Sequence, residues 1–356
     1  MEASAKKVTM KGLVRGERSR RVLEAVILEY IKGGVPVGSR AIAKKYGLSV
    51  SPATIRNVMA DLEELGLLYQ PHTSAGRVPT ELGLRVYIDA ILKIQQLSIA
   101  DREQIRQSYR GGVSRVEGLL QETSKVLSSF SKQAGVVLTP RLSHTVFKRI
   151  EFVRLRTSMV MTILVSQAGI VHNTVFEIQE DISQEELDKY GRYLNDMLQD
   201  LALHQVKARL LEEMKKEKVL FDRLLSKALE LSQKALQENI ENSELYIGGR
   251  TNLLDNPEFA DVEQMRRIFN AFEEKSKIID LLDKSMSAGG VNIFIGSESE
   301  LLDMESVSFI TSPYASGNEV LGTLGVIGPT RMDYSRIIPL VDYTAKLLSE
   351  MLEETF

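Results

Sequence analysis

Residues 51–66 read SPATIRNVMADLEELG. Ser51 can cap a helix with Pro52 at its first position, where proline's missing N–H costs nothing, and Gly66 ends it. At about 100° per residue, Ile55, Val58, Met59, Leu62 and Leu65 share one face, which is the face to bury. Opposite lie Ala53, Asn57, Ala60 and Glu64, with Thr54, Arg56 and Asp61 on the flanks. The charges are therefore split: the front end is small, hydrogen-bonding or cationic, and the back end carries Asp61, Glu63 and Glu64. Small side chains let a helix approach base edges, and Asn and Arg match adenine and guanine bidentately. A helix N-terminus also favours phosphate, whereas the acids at the back are repelled by it. On this reading the front enters a major groove and the back stays out. An ordinary solvated amphipathic helix is the alternative for these residues taken alone.

The flanking sequence favours the first reading. Residues 17–32 place Val22, Ala25, Val26, Tyr30 and Ile31 near helical spacing, and Gly33-Gly34 stops that helix. Ser39 is placed to cap a short helix, RAIAKKY, closed by Gly47. After the 51–66 helix come an extended LLYQ, a loop PHTSAG, an extended RVP, and Thr80 as cap of ELGLRVYIDAILKI. Helix, helix, turn, helix, hairpin, helix is the order of a winged helix-turn-helix. Its hairpin tip supplies His72, Thr73, Ser74 and Arg77, with no acidic residue between Leu65 and Thr80. Such groups hold register on phosphate while base contacts choose sequence. Ser51, Thr54, Arg56, Asn57, His72, Thr73, Ser74 and Arg77 are the candidate DNA-binding residues. The turn Gly47–Pro52 is about two residues longer than the compact form of many such motifs. Lys6, Lys7, Lys11 and Arg15 belong to a phosphate-binding arm or to a solvated tail.

Charge agrees. The chain has 45 Lys+Arg and 48 Asp+Glu, but residues 1–94 hold 15 and 9 of them, so a basic head precedes an acidic body. At 356 residues, two or three domains are expected. There is no cysteine, hence no disulfide, thiolate metal site or cysteine nucleophile. No run reaches the roughly 18 apolar residues of a membrane span, and the N-terminus lacks a signal-peptide core. A cytoplasmic location without membrane partners is the expectation. His72, His144, His172 and His204 show no metal-ligand spacing, and no H-E-x-x-H, Walker A or G-x-S-x-G motif occurs. Neither a cofactor nor enzymatic activity is expected.

Beyond the head, residues 95–113 turn polar and end on Gly111-Gly112, which reads as a linker. Residues 114–132 read as helix. AGVVLTP, RIEFVRL, SMVMTILVS and IVHNTVFEI read as strands, and residues 183–242 as a strongly helical block. ELYIGGRTNLL follows as a short extended piece whose glycines mark a tight structural turn. Two more helical stretches run to about Ser287. VNIFIG, VSFITSPY and EVLGTLGVIG read as strands, and 333–353 as a closing helix. Sheet, helices, sheet, helix suggests one α+β domain, residues 114–182 and 288–356, interrupted by a mostly helical insertion at 183–287.

The run SPATIRNVMADLEELGLLYQPHTSAGRVPTELGLRVYID, with GGRTNLL and GTLGVIGPTRMDYSRIIPLVDYTAKLL, resembles the HrcA family of heat-inducible transcription repressors over nearly the whole chain. The resemblance implies an N-terminal winged helix, a GAF-like α/β domain and a dimerising domain inserted into it. It further implies repression of chaperone operons through a long inverted repeat, CIRCE, with activity supported by the GroE chaperonin and no catalytic residues. Inverted repeats call for a two-fold homodimer. Leu210, Leu211, Met214, Phe221, Leu224 and Leu225 of the helical block are interface candidates, the insertion's own core being the other reading. Two further functions stand beside this one. A ligand-sensing repressor would hold a metabolite in the GAF-like domain. A winged helix fused to an enzyme, as in repressor biotin ligases, would need a glycine- and arginine-rich nucleotide loop that this sequence lacks.

Overall fold

The structure is a computed structural model. It describes the chain from residue 14 to 355, except residues 15, 95, 110–115, 141–145, 168, 170, 179, 200, 202–204, 207–230, 232–243, 255–258, 260–261, 287, 300–305 and 318. The fold is mixed helix and sheet, as expected.

The head contains α1 (Glu17–Gly33), α2 (Ser39–Lys45), α3 (Pro52–Glu64), the two-residue strands β1 (Leu68–Tyr69) and β2 (Val78–Pro79), and α4 (Glu81–Val86). α4 runs on into a wider turn of helix at Tyr87–Ile91. Local chemistry sets these boundaries. Gly34 takes a left-handed φ of 66°, which L side chains resist, and its N–H reaches the Tyr30 carbonyl to close α1. The Ser51 and Thr80 hydroxyls accept from the N–H of Thr54 and Gly83 and start α3 and α4. Ser39 is the first residue of α2, and Gly38 takes the capping position expected for it. Ile55, Val58, Met59 and Leu62 are buried as their spacing predicts. Leu65 is not: it follows the last helical turn as the C-cap and stays 44% exposed.

Residues expected as a linker are partly a helix, α5 (Ile99–Ser108). Ser98 caps it, Ile105 is fully buried, and Arg106 donates to the Tyr343 hydroxyl. Tyr109 follows, its phenol bonded to Thr123 Oγ1 and pushed up in pKa by burial. The polar composition of the segment reflects a helix with one covered face.

A five-stranded antiparallel sheet lies beyond α6 (Val116–Ser131), in the order β7 (Leu245–Gly248), β3 (Ala134–Leu138), β10 (Glu319–Pro329), β9 (Val307–Ser316), β8 (Asn292–Ile295). α6 and the closing helix α11 (Tyr334–Thr355) cover one face. On the other, beyond the short α8 (Thr251–Leu254), Phe272, Ile278, Leu281 and Leu282 of α9 (Val262–Glu274) and α10 (Ser276–Met286) join Ala134, Val136, Leu138 and Phe309 in one core. Cover on both faces explains why β3 is buried at every position and why GTLGVIG reads as an apolar run without alternation.

Residues 147–177 correct the expected partition. β4 (Phe147–Arg156), β5 (Met159–Ser166) and β6 (Val171–Glu177) form a separate three-stranded sheet, in that order, whose inner face packs on α7 (Gln184–Leu198). They do not join the five-stranded sheet, so 114–182 is not one unit with 288–356. Conversely, α9 and α10, expected within the 183–287 insertion, pack on the five-stranded sheet. The chain leaves that sheet at Thr139 and re-enters at Glu244. These two residues are hydrogen-bonded to each other, Thr139 N–H to the Glu244 carbonyl and Glu244 N–H to Thr139 Oγ1, both at 2.9 Å. Alternation in β5, buried at every second residue, marks a half-covered strand but does not name its neighbours.

Candidate nucleic-acid interface

The exposed front of α3 is built by its cap. Ser51 Oγ accepts the Thr54 N–H at 3.1 Å and lies 3.0 Å from Thr54 Oγ1, while Pro52 has no N–H to offer. Among the first three helical residues this leaves the Ala53 N–H for an anion, fewer donors than an uncapped terminus gives. One turn on, Arg56 and Asn57 are exposed and have no partner among the described residues, so both end groups are available. Thr54 is half-buried.

The hairpin tip is held from within. Gln70 Nε2 donates to the carbonyls of Thr73 and Ala75, both at 2.9 Å, and Ala75 N–H reaches the His72 carbonyl. His72, Thr73 and Ser74 are thereby left exposed at the turn. Below it, Arg77 and Val37 exchange both backbone hydrogen bonds at 2.9 Å, tying the hairpin to the segment before α2. Gly76 is required there, because a Cβ would run into the Val37 backbone.

Arg77 is placed differently from the other hairpin candidates. Its guanidinium turns inward to Glu63 of α3, Nη2 to Oε2 at 2.8 Å, and its side chain is only 18% exposed. One of the three acids at the back of α3 thus clamps the hairpin, while Asp61 and Glu64 face solvent. The structure brings Ser51, Arg56 and Asn57 together on one exposed helix end and His72, Thr73 and Ser74 on the adjoining turn. It makes Arg77 the brace between the two.

Two cations escaped sequence reading. Arg40 and Lys44 of α2 are exposed and carry no partner among the described residues. Lys45 is engaged by Glu29, whose carboxyl it holds below the usual carboxylate range through that hydrogen bond. The signal was present as RAIAKK beside the turn, since the helix before a recognition helix crosses the DNA backbone. Lys6, Lys7, Lys11 and Arg15 lie outside the described residues, as do Leu210, Leu211, Met214, Phe221, Leu224 and Leu225. Among the described residues no group of acids and histidines has the geometry of a metal site, and no helix is long and apolar enough to cross a membrane.

Comparison with known proteins supplies the identity of this architecture. Residues 117–338 match the family model described as HrcA protein C terminal domain. The chain is 58% identical over 339 residues to the heat-inducible transcription repressor HrcA of Syntrophobacter fumaroxidans, covering 95% of this chain and 97% of that one. It is 50% identical over 337 residues to the protein of the same name from Geobacter sulfurreducens, with coverage of 95% and 98%. A crystal structure at 2.2 Å of a protein described as hypothetical superposes with a TM-score of 0.61 at 23% identity, covering 96% of this chain and 99% of that one, and shares the fold. From the basic head to the closing helix, the chain belongs to the HrcA family of heat-inducible transcription repressors.

Proposed function

We propose that the chain represses heat-shock operons as a homodimer, each copy setting the front of α3 in the major groove of one half of the inverted repeat CIRCE. That it is a negative regulator of heat-inducible transcription follows from its family. The observation that supports the finer reading is the pair Arg56 and Asn57, exposed and unpartnered among the described residues at the capped end of a helix whose opposite face is buried. The head is a winged helix in which the hairpin 68–79 is the wing. Ser51, Thr54, His72, Thr73 and Ser74 hold phosphate or sugar, and Arg56 and Asn57 read base edges. Arg40 and Lys44 extend the cationic strip along α2. The five-stranded unit is the GAF-like domain, and the segment 140–243, which leaves and returns through hydrogen-bonded neighbours, is the inserted dimerisation domain. Leu210, Leu211, Met214, Phe221, Leu224 and Leu225 fall inside it. The GroE chaperonin sustains the active dimer, so misfolded protein that occupies the chaperonin relieves repression. Both faces of the five-stranded sheet are packed with apolar side chains, which supports a structural role for that sheet over the ligand-sensing alternative.

The test is a titration of purified protein on CIRCE, on one half-site and on scrambled duplex, over a series of salt concentrations and with and without chaperonin. The whole repeat should bind far more tightly than a half-site, sedimentation should report a dimer, and affinity should fall steeply with salt. Asn57→Ala should cost about 1–3 kcal/mol and relax preference at one base position. Equal loss on scrambled and cognate DNA would remove Asn57 from base readout.

Arg77 carries a separate expectation. If it braces the wing against α3, Arg77→Ala and Glu63→Ala should each weaken operator binding by a few-fold. The scale is that of one partly exposed ion pair, about 0–1 kcal/mol. The double variant should then be no worse than either single one. A direct phosphate contact predicts otherwise: Arg77→Ala would lower the salt slope by about one, and Glu63→Ala would tighten binding.

A further inference from the structure

The head is not joined to the sheet domain by a slack tether. Arg85 of α4 reaches Glu298, in the turn after β8, with one edge of its guanidinium: Nε to Oε1 at 2.9 Å, and Nη2 to Oε2. Nη2 also donates to the Ile293 carbonyl at 2.7 Å, and Asp89, one turn on, lies 3.6 Å from Nη1. Beside this pair, Glu81 accepts the Ser297 N–H at 3.1 Å and the Ser297 hydroxyl. At the other side of the head, Arg331 donates to the Ile31 carbonyl at the end of α1 at 3.0 Å. Its guanidinium lies against Gly34, where a Cβ would stand 2.9 Å from Cζ. Between these points one apolar core runs unbroken from Val22 and Ile55 in the head to Leu324 and Leu348 in the sheet domain.

A bidentate arginine–carboxylate pair fixes orientation as well as distance, because its two bonds are parallel and planar. Here the plane is anchored a third time by a backbone carbonyl. The head is thereby held in one orientation on the domain that carries it. In a two-fold dimer this fixes both the separation and the rotational phase of the two recognition helices. DNA makes that phase matter: a turn is about 10–10.5 base pairs and 34–36 Å, so each base pair added between half-sites turns the second by roughly 34°. A locked head cannot follow that rotation, and a released one can.

We propose that Arg85–Glu298 and Glu81–Ser297 are the determinants of operator spacing: they select the spacer length of the inverted repeat without reading any base. The proposal rests on the reading of the chain as a dimer on an inverted repeat. The experiment measures affinity of the full-length protein for the repeat with its native spacer, for repeats lengthened by about one, two and five base pairs, the last being half a helical turn, and for an isolated half-site. The variants are Glu81→Gln with Glu298→Gln, which keeps side-chain size and an acceptor for the Ile295 N–H that Glu298 Oε2 accepts at 2.9 Å, and Arg85→Met. Two linked sites lose their avidity when geometry forbids simultaneous engagement, so the parent should favour the native spacer over the half-turn insertion by about 100-fold. In the variants that ratio should fall to about tenfold or less, with half-site affinity and dimer mass unchanged. Folded, dimeric variants that keep the parent's ratio overturn the proposal and leave the dimer reading intact. A parent that binds the repeat no better than a half-site overturns both. Should Arg85→Met fail to fold, the double glutamine variant decides the matter alone.

Discussion

A chain carrying Arg56→Glu should bind its operator at least about 100-fold more weakly than the parent while keeping its melting temperature. The first half of the expectation is electrostatic. Losing one arginine contact to a base or phosphate costs about 1–3 kcal/mol. The new carboxylate adds repulsion of about 1–4 kcal/mol against a phosphate at contact distance in a partly hydrated interface. In the proposed dimer the change is made in both heads, so the lower ends of these ranges sum to about 4 kcal/mol, and 100-fold, about 2.7 kcal/mol, is a conservative floor. The second half is structural: Arg56 is exposed and engages no partner among the described residues, so nothing in the fold depends on it. Glu64→Ala is the matched control, exposed at the far end of the same helix. It should change affinity less than about threefold, the small end of a surface-charge effect. Fluorescence anisotropy on labelled operator, with circular dichroism on the same samples, checks both. A folded Arg56→Glu chain within threefold of the parent would falsify the docking of α3 by its front end.

Much of this site was legible because short-range rules govern it. Ser51 and Thr80 cap as their types and positions dictate, and the buried stripe Ile55, Val58, Met59, Leu62 follows from helical period alone. What was not legible depends on residues far apart in the chain. Arg77 looked like a free cation in an acid-free loop until the fold laid Glu63 beside it. Arg85 and Glu298 are separated by 213 positions, and no local pattern announces their pairing. The strands at 147–177 are legible as strands but their neighbours are not, because alternation specifies a covered face and not what covers it. α5 reads as a linker for a related reason. A helix that buries little beyond Ile105 and pairs its arginines with Gln96, Tyr343 and Glu350 leaves almost no apolar stripe to read.

GGRTNLL shows the same limit and supplies the second large expectation. The glycines suggested a turn, but the structure assigns them a closer task. Gly248 of β7 pairs with Gly135 of β3, and α6 crosses directly above both. A Cβ on Gly248 would stand 2.5 Å from the Ser124 carbonyl oxygen, and one on Gly135 would stand 2.8 Å from the Leu127 Cβ. The small residues Ser124 and Ser128 complete the approach from the helix side, both buried. At Gly249 the backbone turns with φ of 67°. Asn252 then reaches back, its Nδ2 donating to Ser128 Oγ at 2.9 Å and to the Gln133 carbonyl at 3.2 Å.

Gly249→Ala should therefore be among the most damaging single-methyl additions in the protein. The left-handed backbone costs a non-glycine residue about 1–2 kcal/mol. The new Cβ would overlap Ser128 Oγ and lie 2.7 Å from Ser128 Cβ, and Ser128 cannot turn aside without giving up its bond to Asn252. Overpacking of that kind adds about 1–3 kcal/mol. The sum, about 2–5 kcal/mol, should lower the melting temperature of the sheet domain by roughly 4–20 °C at the roughly 2–4 °C per kcal/mol typical of a domain this size. Gly317→Ala separates the two contributions, because Gly317 also has a positive φ, 58°, but its Cβ would meet nothing within 4 Å. It should lose only the backbone share, about 1–2 kcal/mol. Differential scanning calorimetry of the two variants beside the parent reads the difference. If Gly249→Ala melts with Gly317→Ala, the close approach of α6 to the glycine pair is not what holds β7 on the sheet. Since β7 is where the chain returns from residue 243, a loosened β7 should also free the segment proposed to dimerise. Operator binding by Gly249→Ala should then fail at a lower temperature than that of the parent, by about the same 4–20 °C.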